Sequence, residues 1–333
     1  MSGRALVTGA SGFLGRPLVA ALLAQGREVV ALCRRPQALA DLAPRRLELR
    51  AGDVVDERSW RDALGRGTTV FHLASARPHP RQRAARLAAV NTAATLALAR
   101  ASAERGVGRF IHVASALAFG PANPAPRREQ DGLAPAPGDA YAESRAAAIS
   151  GLAPLAAAGL HVVTLCPAVT YGPDHPAHPN RVTGEIRRLL RSRIELLPAG
   201  GAPRRDLVFR DDVLGAMLAA EERGVPGEIF LLGGEAAAQS DFNRRVFAAA
   251  GLRPRLRLVL PRPLLAAAAR AADRLLGLER GSGYTQVLAS LAREWRFDCA
   301  AARSRLGYHP TSLDEGVERT VAWFRAAREA RSG

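Results

Sequence analysis

The turn after the first apolar run constrains the fold of this chain more than any other feature. The run RALVTGA leads into VTGASGFLGRPLV, in which glycines recur every third residue before a helical pattern begins. This spacing lets the chain turn tightly, lets backbone N–H groups approach a pyrophosphate and lets the next helix pack closely. Because the triplet lies between a strand and a helix, it predicts a dinucleotide site. Its expected contacts are Gly9, Ser11, Gly12, Phe13, Leu14 and Gly15.

Short apolar runs and helical patterns alternate through the first half of the chain. Strands are predicted in RALVTGA, REVVALC, TTVFHLA, RFIHVAS and HVVTLCP, and helices in RPLVAALLAQG, RSWRDALG and RLAAVNTAATLALARASAERG. Regular alternation predicts an α/β fold with a Rossmann-type, doubly wound parallel sheet. We expect this NAD(P)-binding domain over residues 1–170 and a smaller substrate-binding part over 171–333. Segments of about 206–234, LVF and GEIFLLGG, are expected to return to the sheet.

The charge pattern excludes several classes of protein. The formal net charge is +16, yet arginine doublets are spread along the whole chain with acidic residues between them, which speaks against nucleic acid or a membrane surface as a partner. All 47 basic residues are arginine, so the chain contains no lysine. The first strand begins at about residue 4, and no apolar stretch approaches the ~20 residues of a membrane span. We therefore expect a cytoplasmic protein that acts on a small molecule.

Cysteine and histidine spacing predicts neither a disulfide framework nor a metal site. Cys33, Cys166 and Cys299 lie far apart in three different contexts. His175 and His178 share a proline-rich loop, DHPAHP, but no further ligand at metalloenzyme spacing completes them.

The end of the second strand bears on the choice of dinucleotide. A protein that binds NAD through the adenosine ribose usually carries Asp or Glu there, whereas a 2′-phosphate favours arginine. The sequence is VVALCRRP, and no carboxylate follows before Asp41. We therefore expect NADP(H) rather than NAD(H), with Arg34 as the main phosphate ligand and Arg35 in support. The alternative is a pair of solvated arginines in an arginine-rich chain.

The stretch DAYAESRAA at 139–147 contains a candidate acid or base. Tyr141 and Arg145 are four residues apart, which places both on one face of a helix. A phenol, whose unperturbed pKa is about 10, needs a nearby fixed cation to exchange protons near neutral pH. Arginine supplies that charge and can donate to ribose hydroxyls, but it cannot release a proton as lysine can.

Several motifs occur in an order that resembles one family. They are TGASGFLG at the N-terminus, GDVVD at 52–56, FHLAS at 71–75, SALAFG at 115–120, YAESR at 141–145, CPAVTYGP at 166–173, and the tail FDCAAARSRLGYHPTSLDEGVERTVAWF. Together they resemble the extended short-chain dehydrogenase/reductase family, also called the NAD-dependent epimerase/dehydratase family. The pattern is most similar to its dihydroflavonol-reductase and 3β-hydroxysteroid-dehydrogenase-like branch. The family expects YxxxK where this chain has Arg145.

The resemblance implies a role for each matching residue. Asp53 and Val54 would contact the adenine, Leu73, Ala74 and Ser75 would line the middle of the cofactor, and Pro167 and Val169 would also contact the cofactor. Asn91 would support the active site and would also contact the cofactor. Ser115 would hydrogen-bond the reacting oxygen, Tyr141 would be the acid or base, and Arg145 would hold the nicotinamide ribose. The resemblance also implies a homodimer that packs helices of roughly 84–105 and 140–158.

The residues after Ser115 indicate which reaction of the family to expect. In the family that this chain resembles, members that dehydrate sugar nucleotides carry a T-D-E-like motif at this place, whereas this chain has Ala116 and Leu117. We therefore expect an NADP(H)-dependent oxidoreductase that interconverts a ketone and a secondary alcohol. The helix RPLLAAAARAADRLLGL could wall an apolar pocket or belong to the core. The alternatives are a nucleotide-sugar epimerase with tightly bound NAD, in which Arg205 clamps the diphosphate, and a catalytically silent NADP-binding regulatory protein.

Overall fold

The computed structural model describes residues 3–42, 45–77, 79, 82–174, 180–198, 203–278 and 283–329. Its strands are β1 (Arg4–Thr8), β2 (Glu28–Cys33), β3 (Leu47–Ala51), β4 (Thr69–His72), β5 (Arg109–Val113), β6 (Val162–Pro167), β7 (Val169–Tyr171), β8 (Ile194–Pro198), β9 (Arg205–Phe209), β10 (Ile229–Leu232), β11 (Glu235–Ala237) and β12 (Leu256–Leu260). Its α-helices are α1 (Gly15–Ala24), α2 (Ala84–Leu87), α3 (Ala94–Glu104), α4 (Ala140–Ala157), α5 (Arg181–Ser192), α6 (Arg210–Arg223), α7 (Gln239–Ala250), α8 (Arg262–Leu275), α9 (Tyr284–Leu291), α10 (Ala300–Leu306) and α11 (Leu313–Glu329).

The main sheet has seven strands in the order β3-β2-β1-β4-β5-β6-β10, and every pairing is parallel. Strands β1 to β3 extend the sheet to one side, and strands β4 to β6 extend it to the other, so the strand order reverses between β1 and β4. At such a point a doubly wound sheet opens a crevice at the carboxyl ends of its strands. The predicted α/β, Rossmann-type fold is confirmed.

Helices cover both faces of this sheet because its central strands are apolar on both sides. On one face α1, α6 and α10 bury Leu18, Met217 and Leu306 against the strands. On the other face α3 and α4 bury Leu98 and Leu152. The two cores fix the strand ends that point into the crevice.

The residues after β6 build two smaller sheets. One has three strands in the order β11-β9-β7, and the other pairs β8 with β12 in parallel. The three-stranded sheet has its own aromatic core, in which Tyr171 packs edge-on against Phe209 and Phe242.

Three local predictions need correction. Strand β3 was not expected, because it is an edge strand whose sequence LELRA is half polar and half exposed. The segment RSWRDALG forms two single 3₁₀ turns rather than a helix. Of the two segments expected to return to the main sheet, β10 pairs with β6, but the LVF segment lies in β9 of the three-stranded sheet.

The long helix predicted near 84–105 is continuous but contains a wider turn. Residues Ala88–Ala93 form a π-helical segment between α2 and α3. Such a turn inserts an extra residue and rotates the side chains within it. Asn91 lies in this segment and is fully buried, on the side of the helix that faces α4.

Candidate functional site

A cleft of about 560 Å³ opens at the point where the strand order reverses, and we call it the switch-point cleft. It is lined from the turn after β1, from the ends of β2 to β6 and from the first turns of α4. The predicted site residues that line it are Gly9, Ser11, Gly12, Phe13, Leu14, Gly15, Arg34, Arg35, Asp53, Val54, Leu73, Ala74, Ser75, Ser115, Tyr141, Arg145 and Pro167.

The glycine turn leaves no room for larger residues. Gly9 has a φ of +68°, and a Cβ there would lie 2.8 Å from the backbone nitrogen of Ala74. A Cβ on Gly15 would collide with the carbonyl oxygen of Gly9. Among the described residues, nothing accepts a hydrogen bond from the N–H groups of Phe13 and Leu14, which precede α1. Free donors at a helix N-terminus fit the phosphates of a dinucleotide.

Two arginines and one carboxylate lie at the other end of the cleft. Arg34 and Arg35 follow β2, are exposed and form no ion pair with another described residue. Asp53 follows β3 and accepts from Arg86 Nη2 at 2.9 Å. Burial would raise the pKa of the Asp53 carboxyl, but hydrogen bonds from Arg86 and from the Val55 N–H, with the charges of Arg86 and Arg34, hold it below its usual range. Asp53 is thus an anion engaged by Arg86.

The Tyr141–Arg145 pair lies at the start of α4. Asp139 caps this helix by accepting from the N–H of Ala142 at 3.0 Å, so Tyr141 falls in the first turn. Arg145 Nε donates to the Tyr141 hydroxyl at 3.4 Å, a long hydrogen bond, and the guanidinium lies 5.5 Å from the centre of the Tyr141 ring. The two residues form a contact pair, as the spacing predicts.

Arg145 is held firmly although it is charged. Its side chain is 3 % exposed, and Nη2 donates to Ser75 Oγ at 2.7 Å. Nη1 is buried and has no partner within the described part of the chain. An unpartnered donor on a buried cation is costly in isolation, so it fits a ligand hydroxyl in the cleft. The remaining donor is consistent with the ribose contact that the resemblance implies.

Ser115 lies two residues after the end of β5 and caps a 3₁₀ turn over Ala116–Phe119. Its hydroxyl accepts from the N–H of Leu117 at 3.3 Å, and the residue is 8 % exposed where it lines the cleft. Because the hydroxyl hydrogen stays free, Ser115 can donate to an oxygen in the cleft. Ala116 and Leu117 bring no acidic group to this turn.

Asn91 supports the site from behind rather than lining it. Its amide accepts from the N–H of Ala76 at 2.8 Å, donates to the Ala76 carbonyl at 3.1 Å and donates to Ser144 Oγ at 3.0 Å. Asn91 is fully buried and is not among the lining residues of the cleft. It fixes the loop after β4 to the helix that carries Tyr141.

Two neutral histidines underlie the site. Thr95 Oγ1 donates to the carbonyl of Asn91, so His72 Nε2 donates to Thr95 and His72 Nδ1 accepts from Thr8 Oγ1, both at 2.8 Å. Burial lowers the pKa of His72 to about 3, and the charge of Arg145 adds to this shift. His112 stacks on His72 with ring centroids 5.7 Å apart, and burial likewise lowers its pKa. Both rings therefore remain neutral below Arg145.

The cleft is also lined by residues that the sequence did not predict. Val169 does not line the cleft, whereas Ala168 and Thr170 do, because side chains alternate along β7. Further lining residues are Leu32, Cys33, Gly52, Ala76, Arg77, His79, Gln82, Arg86, Val90, Val113, Ala114 and Asn180. Of these, Asn180 had a local signal, since it caps α5 by accepting from the N–H of Val182 at 2.9 Å.

Two further sequence expectations concern Arg205 and the histidines of the DHPAHP loop. Arg205 Nη2 donates to Gln239 Oε1 at 2.7 Å and lies 3.5 Å from Glu185, and its side chain is 13 % exposed. His175 and His178 lie outside the described residues, and within the described ranges no group of three potential ligands could hold a metal ion. The three cysteines are free and buried.

The seven-stranded parallel sheet and the glycine turn define a Rossmann-type fold, and the Tyr141–Arg145 pair lies in its switch-point cleft. A family model described as the NAD dependent epimerase/dehydratase family matches residues 5–233. The chain belongs to this family. The members of the family to which it is similar are NAD-dependent enzymes of the extended short-chain dehydrogenase/reductase type.

Three similar proteins indicate the range within that family. Sterol demethylase protein B of Methylococcus capsulatus is 32% identical over 328 residues, which cover 96% of this chain and 98% of that protein. The crystal structure of UDP-glucose 4-epimerase from Thermotoga maritima with UDP-glucose has a TM-score of 0.80 at 25% identity and covers 98% and 99% of the two chains. DesIV, a dTDP-glucose 4,6-dehydratase of Streptomyces venezuelae with NAD bound, has a TM-score of 0.79 at 25% identity, with 98% of each chain covered.

Proposed function

We propose that this protein is an NADP(H)-dependent oxidoreductase that interconverts a ketone and a secondary alcohol. When bound, the nicotinamide supplies or accepts the hydride. Tyr141 gives its hydroxyl proton to the carbonyl oxygen during reduction and takes it back during oxidation. Ser115 donates a hydrogen bond to the same oxygen, and Arg145 keeps a fixed positive charge beside Tyr141 while its free Nη1 holds the ribose.

The observation that carries this proposal is the placement of charge in the switch-point cleft. Tyr141, Ser115 and Arg145 share one end, whereas Asp53 is the sole carboxylate among the described lining residues and is paired with Arg86 at the other end. Dehydration needs a second acid or base to remove another proton, and Ala116 and Leu117 cannot act as one. Hydride transfer with one proton donor needs no more than the groups present.

The proposed preference for NADP(H) rests on Arg34 and Arg35. Both are exposed at the end of β2 with no described ion-pair partner, which suits a 2′-phosphate. We expect the double variant Arg34→Ala/Arg35→Ala to weaken NADPH binding by about 10- to 150-fold, the effect of losing about 1.5–3 kcal/mol of charge-assisted hydrogen bonding. NADH binding should change much less. The control is Arg58→Ala/Arg105→Ala, which removes two exposed arginines elsewhere.

The substrate we propose is apolar or amphiphilic, with a 3-oxo or 3-hydroxy sterol as the first class to assay. Support comes from the similarity to sterol demethylase protein B, which shares 32% identity over nearly the full length. The direct assay is consumption of NADPH in the presence of a panel of ketones. An unchanged NADPH/NADH affinity ratio in the Arg34/Arg35 variant would overturn the cofactor assignment but leave the reaction class standing.

Nucleotide-sugar epimerisation is the second candidate, supported by the fold similarity to the epimerase with UDP-glucose. Against it, Arg205 already binds Gln239 and lies beside Glu185 rather than standing free for a diphosphate. Cofactor extracted after gentle purification separates the two. Tightly held NAD would favour the epimerase, and exchangeable NADP would favour the oxidoreductase. NADP binding without turnover of any substrate would favour a regulatory protein.

A homodimer remains part of the proposal. The segment from α2 to α3 and the start of α4 present a shallow groove of small side chains, among them Ala84, Ala88, Ala93 and Ala147. Small residues let helices approach closely. Light scattering that shows only a 35.3 kDa species at micromolar concentration would contradict it.

A further inference from the structure

Exposed apolar side chains are concentrated on one part of the molecule, which we call the β12–α8 face. Nine of the eleven large apolar residues that are exposed in the described chain lie on or beside β8, β12, α8 and α9, and the other two, Val55 and Val225, lie elsewhere. The nine are Leu196, Leu256, Leu258, Val259, Leu264, Leu275, Leu276, Tyr284 and Leu291. Eight of the nine fall within residues 256–291, and such a concentration of exposed apolar side chains is typical of an interaction surface.

Helix α8 shows why these side chains remain exposed. Ala269, its one buried residue, and the partly buried Leu265 lie on the side that packs against α9. Residues 264, 268, 271 and 275 follow helical spacing along a second side, about 110° around the helix from Leu265 and Ala269, and all four are exposed and apolar. Leu264 is 65% exposed and Leu275 is 85% exposed. Because Ala269 is the one buried residue of this helix, the expectation that the helix belongs to the core is wrong, whereas the expectation that it walls an apolar pocket stays a prediction.

The charge on the same face is strongly positive. Residues 253–278 contain six arginines, all exposed, and one carboxylate. That carboxylate, Asp273, is engaged in accepting from the N–H groups of Tyr284 at 2.6 Å and Thr285 at 3.0 Å. Arg257 is paired with Glu195, but Arg270 and Arg274 border the apolar side of α8 and pair with no described residue. Arginine is denser in this segment, at six of 26 residues, than in the whole chain, at 47 of 333, so the even spread that spoke against a membrane surface does not hold here.

We propose that the β12–α8 face binds the surface of an anionic phospholipid bilayer. Helix α8 would lie in the plane of the interface, with Leu264 and Leu275 among the acyl chains and Arg270 and Arg274 at the phosphates. An apolar side bordered by arginine is the pattern of a helix that lies on a membrane. Among the described helices, none has the length and apolarity to cross one. The charge selects an anionic lipid surface over an uncharged apolar partner.

The face is connected to the candidate active site through one segment. After α9, the N–H of Trp295 donates to the carbonyl of Arg204, and the N–H of Ala122 donates to the carbonyl of Glu294. Residue 122 follows the 3₁₀ turn that begins at Ser115. The inference does not rest on the proposed reaction, because binding to lipid is measured without a substrate.

The test is co-sedimentation of the full chain with sucrose-loaded vesicles. We expect binding to vesicles of phosphatidylcholine with 30 mol% phosphatidylglycerol, at least ten-fold weaker binding to phosphatidylcholine alone, and loss of binding as salt is raised. Leu264→Ser/Leu275→Ser should reduce the partition coefficient at least ten-fold. Val225→Ser, an exposed apolar residue outside the face, should leave it unchanged.

A charge-matched pair separates this face from the general charge of the protein. Arg270→Gln/Arg274→Gln and Arg58→Gln/Arg105→Gln remove the same net charge, but only the first pair lies on the β12–α8 face. We expect the first variant to lose binding at least five-fold and the second to bind as the parent does. Equal losses in both, no binding to anionic vesicles, or a concentration-dependent dimer that Leu264→Ser/Leu275→Ser dissolves would each overturn the proposal.

Discussion

The switch-point cleft and the β12–α8 face use arginine in opposite ways. Arg145 is 3 % exposed and is held by Ser75 and Tyr141, in a region where strands, helix caps and the buried Asn91 all meet. Arg270 and Arg274 extend from a helix that packs mainly against one other helix. The first arrangement fixes one cation at one point, and the second spreads several cations over a surface. Substitutions in the cleft should therefore change turnover and cofactor binding, whereas substitutions on the face should change lipid binding and leave turnover unaffected.

The largest effect is expected from Tyr141→Phe. Because this change removes only the proton donor, turnover should fall by about 10²- to 10⁴-fold, the usual contribution of general acid–base catalysis. Affinity for NADPH should remain within about two-fold. Tyr284→Phe on the β12–α8 face is the control and should keep full activity. Steady-state rates and fluorescence titration of NADPH measure both. Near-native turnover in Tyr141→Phe would show that the pair is structural.

Arg145 gives the next largest effect. Arg145→Ala should lower NADPH affinity and turnover by about 10- to 100-fold each, because it removes a charge-assisted ribose contact and leaves Ser75 without its donor. Arg145→Lys should restore most of both, since a lysine keeps the charge and can reach the same hydroxyls. Thermal unfolding of both variants reports any loss of fold. Equal damage from Ala and Lys would mean that the planar guanidinium, rather than its charge, is required.

The glycine turn gives a matched test of space at fixed backbone conformation. Gly9 and Gly26 both have positive φ, +68° and +74°, but a Cβ meets Ala74 at Gly9 and nothing within 4 Å at Gly26. Gly26→Ala should cost about 1–2 kcal/mol of unfolding free energy from the backbone alone. Gly9→Ala should cost about 1–3 kcal/mol more from overpacking, and it should weaken NADPH binding. Urea denaturation compares the two. Equal losses of unfolding free energy in the two variants would show that the space beside Gly9 accommodates a Cβ.

Asp206 tests how firmly the C-terminal segments are attached. It is the second residue of β9 and accepts from the N–H of Phe297 at 2.8 Å. Burial raises the pKa of the Asp206 carboxyl to about 7, although the Phe297 N–H and the charge of Arg296 oppose the shift. The folded protein therefore holds a proton that the unfolded chain has lost between about pH 4 and pH 7. Stability from this group is present below the unfolded pKa and falls as the pH rises toward 7.

The variant Asp206→Asn should remove this slope, which approaches about 1.4 kcal/mol per pH unit. Urea denaturation between pH 4.5 and pH 7.5 measures it, with the exposed Glu222→Gln as the control. A slope that survives in Asp206→Asn would assign the pH dependence to other groups.

The same comparison explains what the sequence could predict. The glycine turn and the apolar strands carry their signal locally, because close backbone packing and burial on both faces restrict the residues allowed. The helical spacing of Tyr141 and Arg145 is likewise local, and the structure confirms their contact.

The remaining features depend on partners far away in sequence. Arg86 reaches Asp53 across 33 positions, and Asn91 is turned inward by a π-helical segment that leaves no pattern in the sequence. Strand β9 joins a separate sheet because its partners β7 and β11 are set by tertiary packing. Helix α8 has apolar residues on two sides, so its pattern could not show which side is packed.

Transfer of deuterium tests the central claim most directly. NADPH carrying two deuterium atoms at nicotinamide C4 is incubated with the protein and a panel of 3-oxo sterols and simple ketones. The proposed function predicts an alcohol with deuterium on the carbinol carbon, formed one for one with NADP⁺, and no product with Tyr141→Phe. Isomerisation of UDP-glucose by tightly bound NAD, with no net oxidation of NADPH by any ketone, would contradict it.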